Sequence, residues 1–103
     1  MQPWLATGAT NGVLIISDLS AFTVRLRLRL RGGVTALRFV PRSALLVAAS
    51  ANGFVTVFDV RDGSIKAEHT GHAGPVFDIV CAGAAAWTAG DDGVCRQFPL
   101  PAL

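Results

Sequence analysis

The sequence contains no tyrosine and one methionine, and aromatic residues make up only 8% of its 103 residues. A surface that binds single-stranded nucleic acid by stacking bases on aromatic side chains is therefore poorly supported. The two cysteines, Cys81 and Cys95, are too few for a disulfide scaffold and lack the paired spacing of a zinc site. We expect both to be small core residues.

Long hydrophobic runs are also absent, although 51% of the residues are hydrophobic. The apolar residues come in short runs broken by Gly, Pro, Asn and Asp, and none approaches the roughly 18–20 residues that cross a bilayer. Gly8, Thr10, Asn11 and Gly12 interrupt the first segment, which therefore does not resemble a secretory signal. We expect an intracellular protein without a transmembrane segment, with the cytoplasm as the favoured compartment.

The sequence does contain an internal repeat with a period of about 41 residues. Residues 5–19 match residues 46–60, and a third copy follows at residues 86–98. Within each copy β-branched and aromatic residues alternate and turn residues recur, whereas no segment has a helical period. The complete copy predicts four strands, at residues 34–40, 45–50, 54–60 and 64–69.

These repeats resemble those of the WD40 family, whose unit of about 40–45 residues folds as one four-stranded propeller blade. Gly71-His72 matches the family's Gly-His pair, and Phe58-Asp59 stands where the family has Trp-Asp. Three further dipeptides occupy the tight turn between the second and third strands: Asn11-Gly12, Asn52-Gly53 and Asp92-Gly93. The resemblance implies an all-β fold of antiparallel four-stranded blades that form a partial β-propeller.

Counting strands divides the chain into an incomplete first blade at residues 1–31, a complete blade at 32–70, and a third blade without its outer strand at 71–103. Propellers close with roughly four to eight blades of four strands. Joining identical copies would place three strands against three at the seam, so simple closure by self-association is awkward. We expect other protein subunits as partners, including the chain or segment that completes the propeller.

The resemblance also implies a structural role for three polar residues of the last repeat. Blades of the family link His, Ser or Thr, Asp and Trp through buried hydrogen bonds, and His72, Thr88 and Asp92 match the first three. Phe98 stands at the Trp position and has no indole donor, so the hydrogen bonds would end at Thr88. We therefore expect His72 to be structural rather than a ligand or a base.

The middle repeat departs further from this pattern. It has Gly33 in place of the His and Asn52 in place of the Asp. We expect this blade to depend on apolar packing.

Residues 24–31 alternate strictly between apolar and basic side chains. A strand would place Arg25, Arg27, Arg29 and Arg31 on one face and the leucines on the other. One interpretation is that these arginines discourage edge-to-edge pairing of an exposed strand. The alternative is an anion-binding module for an acidic protein, a phosphoinositide or RNA, since guanidinium groups suit carboxylate and phosphate.

The remaining candidates do not assemble a catalytic or metal site. Asp91 and Asp92 fall short of the six to eight oxygen ligands that calcium takes, and we interpret them as turn residues. Trp87 is expected to pack between blades. No Ser/His/Asp set has credible roles, so we predict no catalytic residue, metal or cofactor.

The resemblance implies a non-enzymatic protein-protein interaction scaffold within a larger protein or multi-subunit complex. Propellers of this family generally bind partners through loops on the narrow face around the channel. The corresponding positions here are Asn11, Thr35, Asn52, Phe77 and Asp91. Two alternatives remain, the anion-binding module and a non-catalytic domain of an enzyme.

Overall fold

The computed structural model describes residues 4–101, which contain ten β-strands and no helix. The first predicted blade begins at residue 1 and the third ends at residue 103, and both of these ends lie outside the described residues. The four strands predicted for the middle repeat are confirmed to within one residue at each end. The strands are β1 (Trp4–Gly8), β2 (Val13–Asp18), β3 (Thr23–Arg29), β4 (Val34–Phe39), β5 (Leu45–Ser50), β6 (Phe54–Asp59), β7 (Ser64–Thr70), β8 (Val76–Ala82), β9 (Ala85–Gly90) and β10 (Cys95–Pro99).

The strands form three antiparallel sheets in which sequence neighbours pair. The first sheet has the order β1-β2-β3, the middle sheet β4-β5-β6-β7, and the third sheet β8-β9-β10. β4 contacts both β1 and β8, so the inner strand of the middle sheet lies between the two flanking sheets. This arrangement is the predicted all-β fold of blades in a partial propeller.

Two apolar layers hold the three sheets together. The layer between the first and middle sheets is built on Leu14, Ile16, Leu30, Leu46, Ala48, Phe58 and Val60. The layer between the middle and third sheets is built on Val40, Leu45, Val47, Ala49, Val55, Val57, Val76, Ile79 and Ala86. Each fully buried large aliphatic side chain contributes about 1.5–3 kcal/mol, so these layers dominate the stability of the fold.

Glycine turns place one end of the first and middle sheets against the connection that enters the next sheet. Gly12 and Gly53 have φ angles of 87° and 90°, which glycine adopts without strain. A Cβ on Gly12 would lie 2.8 Å from the Leu30 carbonyl oxygen, and one on Gly53 would overlap the His72 carbonyl oxygen. We call this end, with the β1-β2, β5-β6 and β9-β10 turns, the upper end.

Each outermost strand of the first and middle sheets carries a β-bulge at the same place in the repeat. The register of β2 and β3 shifts between Ile16 and Ser17, and that of β6 and β7 shifts between Val57 and Phe58. The extra residue is Arg25 in β3 and Lys66 in β7. A bulge changes the face to which the following side chains point.

Candidate interaction surfaces

The five residues predicted to contact partners all lie at the upper end, and all five are exposed. Asn11, Asn52 and Asp91 belong to the turns after β1, β5 and β9. Thr35 and Phe77 are the extra residues of bulges near the starts of the inner strands β4 and β8. Their role in binding stays a prediction.

His72 is hydrogen-bonded to both other polar residues predicted for the last repeat. Its Nδ1 lies 3.1 Å from Asp92 Oδ1, and its Nε2 lies 2.7 Å from Thr88 Oγ1. An ionised carboxylate only accepts hydrogen bonds, so Nδ1–H donates to Asp92 and, in the neutral ring, Nε2 accepts the Thr88 hydroxyl proton. Among the described residues no further side chain continues from Thr88.

Asp92 joins the β9-β10 turn to the connection that enters β8. Its carboxylate also accepts the backbone N–H groups of Ala73 and Val94, each at 3.1 Å. The hydrogen bond from His72 and these backbone donors lower the pKa of Asp92 to about 2. A Cβ on Gly90 would come within 2.6 Å of His72 Nδ1, so only glycine leaves room for the ring there.

The middle sheet has an apolar group where the third sheet has this network. The carbonyl oxygens of Leu30 and His72 meet the equivalent turn glycines, Gly12 and Gly53, so Leu30 occupies the His position. The assignment of Gly33 to that position is wrong, because the connection between the sheets contains two glycines and only the backbone contacts identify the register. Leu30, Ala48 and Phe58 instead share one buried cluster.

The β5-β6 turn of the middle sheet keeps polar contacts of its own. The Asn52 side chain donates to the Arg31 carbonyl oxygen and accepts from the Ser50 hydroxyl group. Ser50 is fully buried, so this small network holds the turn against the preceding connection.

The prediction that four arginines share one face is wrong. The bulge turns Arg25 toward the middle sheet, where its guanidinium lies 4.3 Å from the Trp4 ring centroid and donates to the Arg61 carbonyl oxygen at 2.9 Å. Arg31 lies beyond the end of β3, and its Nη2 is 3.5 Å from Glu68 Oε1. Two of the four candidate anion-binding residues are thus directed at the middle sheet.

Arg27 and Arg29 remain on the side of the first sheet that faces away from the middle sheet, where Arg29 Nη1 donates to the Asn11 carbonyl oxygen at 3.3 Å. They pair across β2 with Ile15 and Val13, which are half-buried. Leu5 and Val24 on the same side are 48% and 51% exposed. We call these six residues the first open face: Leu5, Val13, Ile15, Val24, Arg27 and Arg29.

The third sheet has a second uncovered apolar face. Phe77 is 59% exposed, Val80 52% and Trp87 42%. The expectation that Trp87 packs between blades is wrong for the described residues, because Trp87 points away from the middle sheet. Cys95 is exposed beside it, contrary to the expectation of a core residue, while Cys81 is half-buried.

The described residues contain no group of three or more His, Cys, Asp or Glu side chains that could hold a metal ion. Within the same residues, no helix suited to crossing a membrane occurs.

Comparison with protein families identifies one match. The model of the WD domain, G-beta repeat, matches residues 25–59. This segment covers most of the outermost strand of the first sheet and the first three strands of the middle sheet.

Two curated proteins illustrate the sequence similarity. Angio-associated migratory cell protein of Canis lupus familiaris is 29% identical over 79 residues, which are 77% of this chain and 18% of that protein. Ribosome assembly protein SQT1 of Saccharomyces cerevisiae is 33% identical over 107 residues, which cover 94% of this chain and 24% of that protein. The chain thus spans less than a quarter of the length of either relative.

Solved structures agree with the fold. The crystal structure of Sqt1 from Saccharomyces cerevisiae superposes with a TM-score of 0.85 at 32% identity, over 97% of this chain and 28% of that one. The computationally designed Ika4 protein superposes with a TM-score of 0.89 at 20% identity, over 98% of this chain and 62% of that one.

Proposed function

Because the chain is built of WD40 repeats, we propose that it is a non-enzymatic protein-protein interaction scaffold, a propeller segment that works within a larger protein or a multi-subunit complex. We assign residues 1–31, 32–70 and 71–103 to three successive blades. The yeast relative is named a ribosome assembly protein, which makes a multi-subunit assembly the favoured setting.

One observation carries the proposal. The middle sheet is packed on both sides, whereas the third sheet exposes Phe77, Val80 and Trp87 on one side and buries its other side. Contiguous exposed apolar surface of this kind marks an interaction site or an aggregation liability. The described part of the chain therefore presents a surface that another protein surface stabilises by covering it.

The upper end supplies a second set of contacts. Asn11, Thr35, Asn52, Phe77 and Asp91 are exposed there on turns and bulges that the sheets hold in place. Binding residues are often found on loops that a rigid scaffold positions. We propose that partner proteins contact these five residues, and that His72, Thr88 and Asp92 fix the shape of the third sheet beneath them.

The test is the composition of the natural complex, determined by gentle affinity purification and intact mass spectrometry of every component. We expect the chain only together with other protein subunits or with further propeller blades. Recovery of the chain as a folded, soluble monomer of its own 10.7 kDa would overturn the proposal. Variants Phe77→Ser and Asp91→Ala would test the two kinds of contact, with the exposed Thr23→Ser as the matched control.

A further inference from the structure

One ion pair joins the first and middle sheets at their outermost strands. Arg31, just after β3, approaches Glu68 of β7, with 3.5 Å between Nη2 and Oε1. The Arg31 side chain is 67% exposed, so the pair adds little to stability. The pair does show which positions of neighbouring sheets come together. The residue two places after the outermost strand β3 meets Glu68, within the outermost strand β7 of the next sheet.

Because the sheets are repeats of one another, the first sheet has a position equivalent to Glu68. Glu68 pairs across the sheet with Thr56, and Arg27 pairs with Ile15, the residue at the equivalent place in β2. Arg27 is therefore the counterpart of Glu68, with the opposite charge. A residue that met Arg27 in the position of Arg31 would form the equivalent ion pair if it were acidic.

A second contact has an equivalent place in the first sheet at the opposite, lower end, which contains the β2-β3 and β6-β7 turns. Gly63 and Phe22 occupy equivalent places in the β6-β7 and β2-β3 turns, with φ angles of 80° and 55°. A Cβ on Gly63 would lie 3.0 Å from Leu28 Cδ2 in the neighbouring sheet. Phe22, which is 91% exposed, thus points toward the place where a neighbouring outermost strand would lie.

We propose that the first open face, with Phe22 at its lower corner, docks a further β-sheet blade that carries Asp or Glu after its outermost strand, opposite Arg27. This inference rests on the proposed function and specifies the chemistry of one contact. The aliphatic residues Leu5, Val13, Ile15 and Val24 pack on the apolar face of that blade, and its outermost strand has a small side chain where this chain has Leu28.

The described residues of a second copy of this chain do not fit the requirement. The described third sheet ends at β10 and has no outermost strand to place opposite β3. Its one acidic strand residue, Asp78, lies on the innermost strand β8. Innermost and outermost strands of a four-stranded sheet are about 14 Å apart, at about 4.8 Å per strand, so Asp78 of a second copy cannot reach Arg27.

Nucleic acid and lipid headgroups suit the face less well than a protein does. Two arginines stand among four aliphatic residues, and the aromatic ring of Phe22 lies only at the corner of the face, so the described residues offer no row of rings for base stacking. A phosphate surface would neutralise the arginines but leave the aliphatic residues in water. A protein blade covers both.

The experiment places the photo-crosslinking residue p-benzoylphenylalanine at position 24 of the full chain, expressed in its own cells. Irradiation and peptide mass spectrometry then identify what lies against the first open face. We expect a strand of another blade with Asp or Glu within about six residues after the crosslinked position, which is the spacing from Arg25 to Arg31. Crosslinks to RNA, to lipid, to another copy of this chain or to a strand without such an acid would each overturn the inference.

Charge reversal provides the second measurement. Arg27→Glu should lower the crosslink yield about fivefold, and changing the captured acid to Arg should restore it. Arg42→Glu is the matched control, because Arg42 is exposed on the β4-β5 turn and outside the first open face. An equal loss in both variants would contradict the proposed pairing.

The two proposals fail in different ways. If position 24 captures nothing while the natural complex still contains other subunits, the docking inference is wrong and the scaffold proposal stands. If the chain occurs without other protein subunits and without further propeller blades, the scaffold proposal itself is wrong.

Discussion

The Nε2 atom of His72 lies 2.7 Å from the hydroxyl oxygen of Thr88, and both side chains are buried. This contact links the connection entering β8 to the middle of β9, and Asp92 links the same ring to the β9-β10 turn. Three segments of the third sheet thus depend on one imidazole. Removing its hydrogen bonds should therefore lower the free energy of unfolding.

Thr88→Val should lower the free energy of unfolding by about 1–3 kcal/mol, because it preserves shape but leaves His72 Nε2 without its partner in a buried site. Urea unfolding followed by circular dichroism measures the effect. Thr23→Val is the control, since Thr23 is an exposed strand residue that should change stability by less than about 0.5 kcal/mol. Equal effects in the two variants would show that the hydrogen bond is unimportant.

Asp92 predicts a loss of stability in acid. Its pKa is lowered from 3.8 to about 2 in the folded protein, so its contribution is complete above pH 4 and is lost as the pH falls from 4 toward 2. Asp59, whose pKa the Arg61 side chain also lowers to about 2, titrates in the same range. The free energy of unfolding, measured from pH 6 to pH 2, should fall less steeply for Asp92→Asn than for the natural chain. A parallel decline would contradict this role.

We predict that substitutions of Phe22 weaken assembly of the natural complex without lowering the stability of the chain. A bulky side chain with a φ of 55° is strained, and this one is almost fully exposed. Phe22→Gly should leave the chain equally stable or stabilise it by up to about 1 kcal/mol, whereas Phe22→Ala keeps the strain and should not stabilise it. Both variants should weaken assembly of the natural complex, as size-exclusion chromatography with purified components would show. A loss of stability in Phe22→Gly would contradict the assignment of strain.

We predict that the rates of thiol labelling at Cys81 and Cys95 report whether a partner covers the third sheet. Burial raises the pKa of the Cys81 thiol, and Cys95 is exposed on the uncovered side of the third sheet. Iodoacetamide should label Cys95 faster than Cys81 in the free chain, because the thiolate is the reactive form. In the natural complex the labelling of Cys95 should slow markedly. Unchanged labelling would mean that this side of the sheet stays open.

The sequence was sufficient to predict the strands and their grouping, because alternation and Asn-Gly turns are local signals that recur at a fixed period. It could not predict the face of Arg25, since a bulge adds one residue without any mark in the composition of the strand. The equivalence of Leu30 to His72 could not be predicted for a related reason. This equivalence rests on which carbonyl oxygen meets the turn glycine, and Gly33 offered a closer match in sequence alone.

The surroundings of Trp87 were also beyond prediction. An apolar residue in a strand indicates that another element packs on that face of the sheet. The pattern does not say whether that element belongs to the same part of the chain or to a partner. The structure places Trp87 on the outward side of the last described sheet.

The glycine turns differ in how much room surrounds them, which decides where the chain tolerates added residues. Gly12 and Gly53 are enclosed by carbonyl oxygens of the following connection, whereas a Cβ on Gly83, in the β8-β9 turn, would have no neighbouring atom within 4 Å. An epitope tag or a fluorescent label inserted at Gly83 should therefore leave the fold intact, and it would emerge from the end of the molecule opposite Asn11, Asn52 and Asp91.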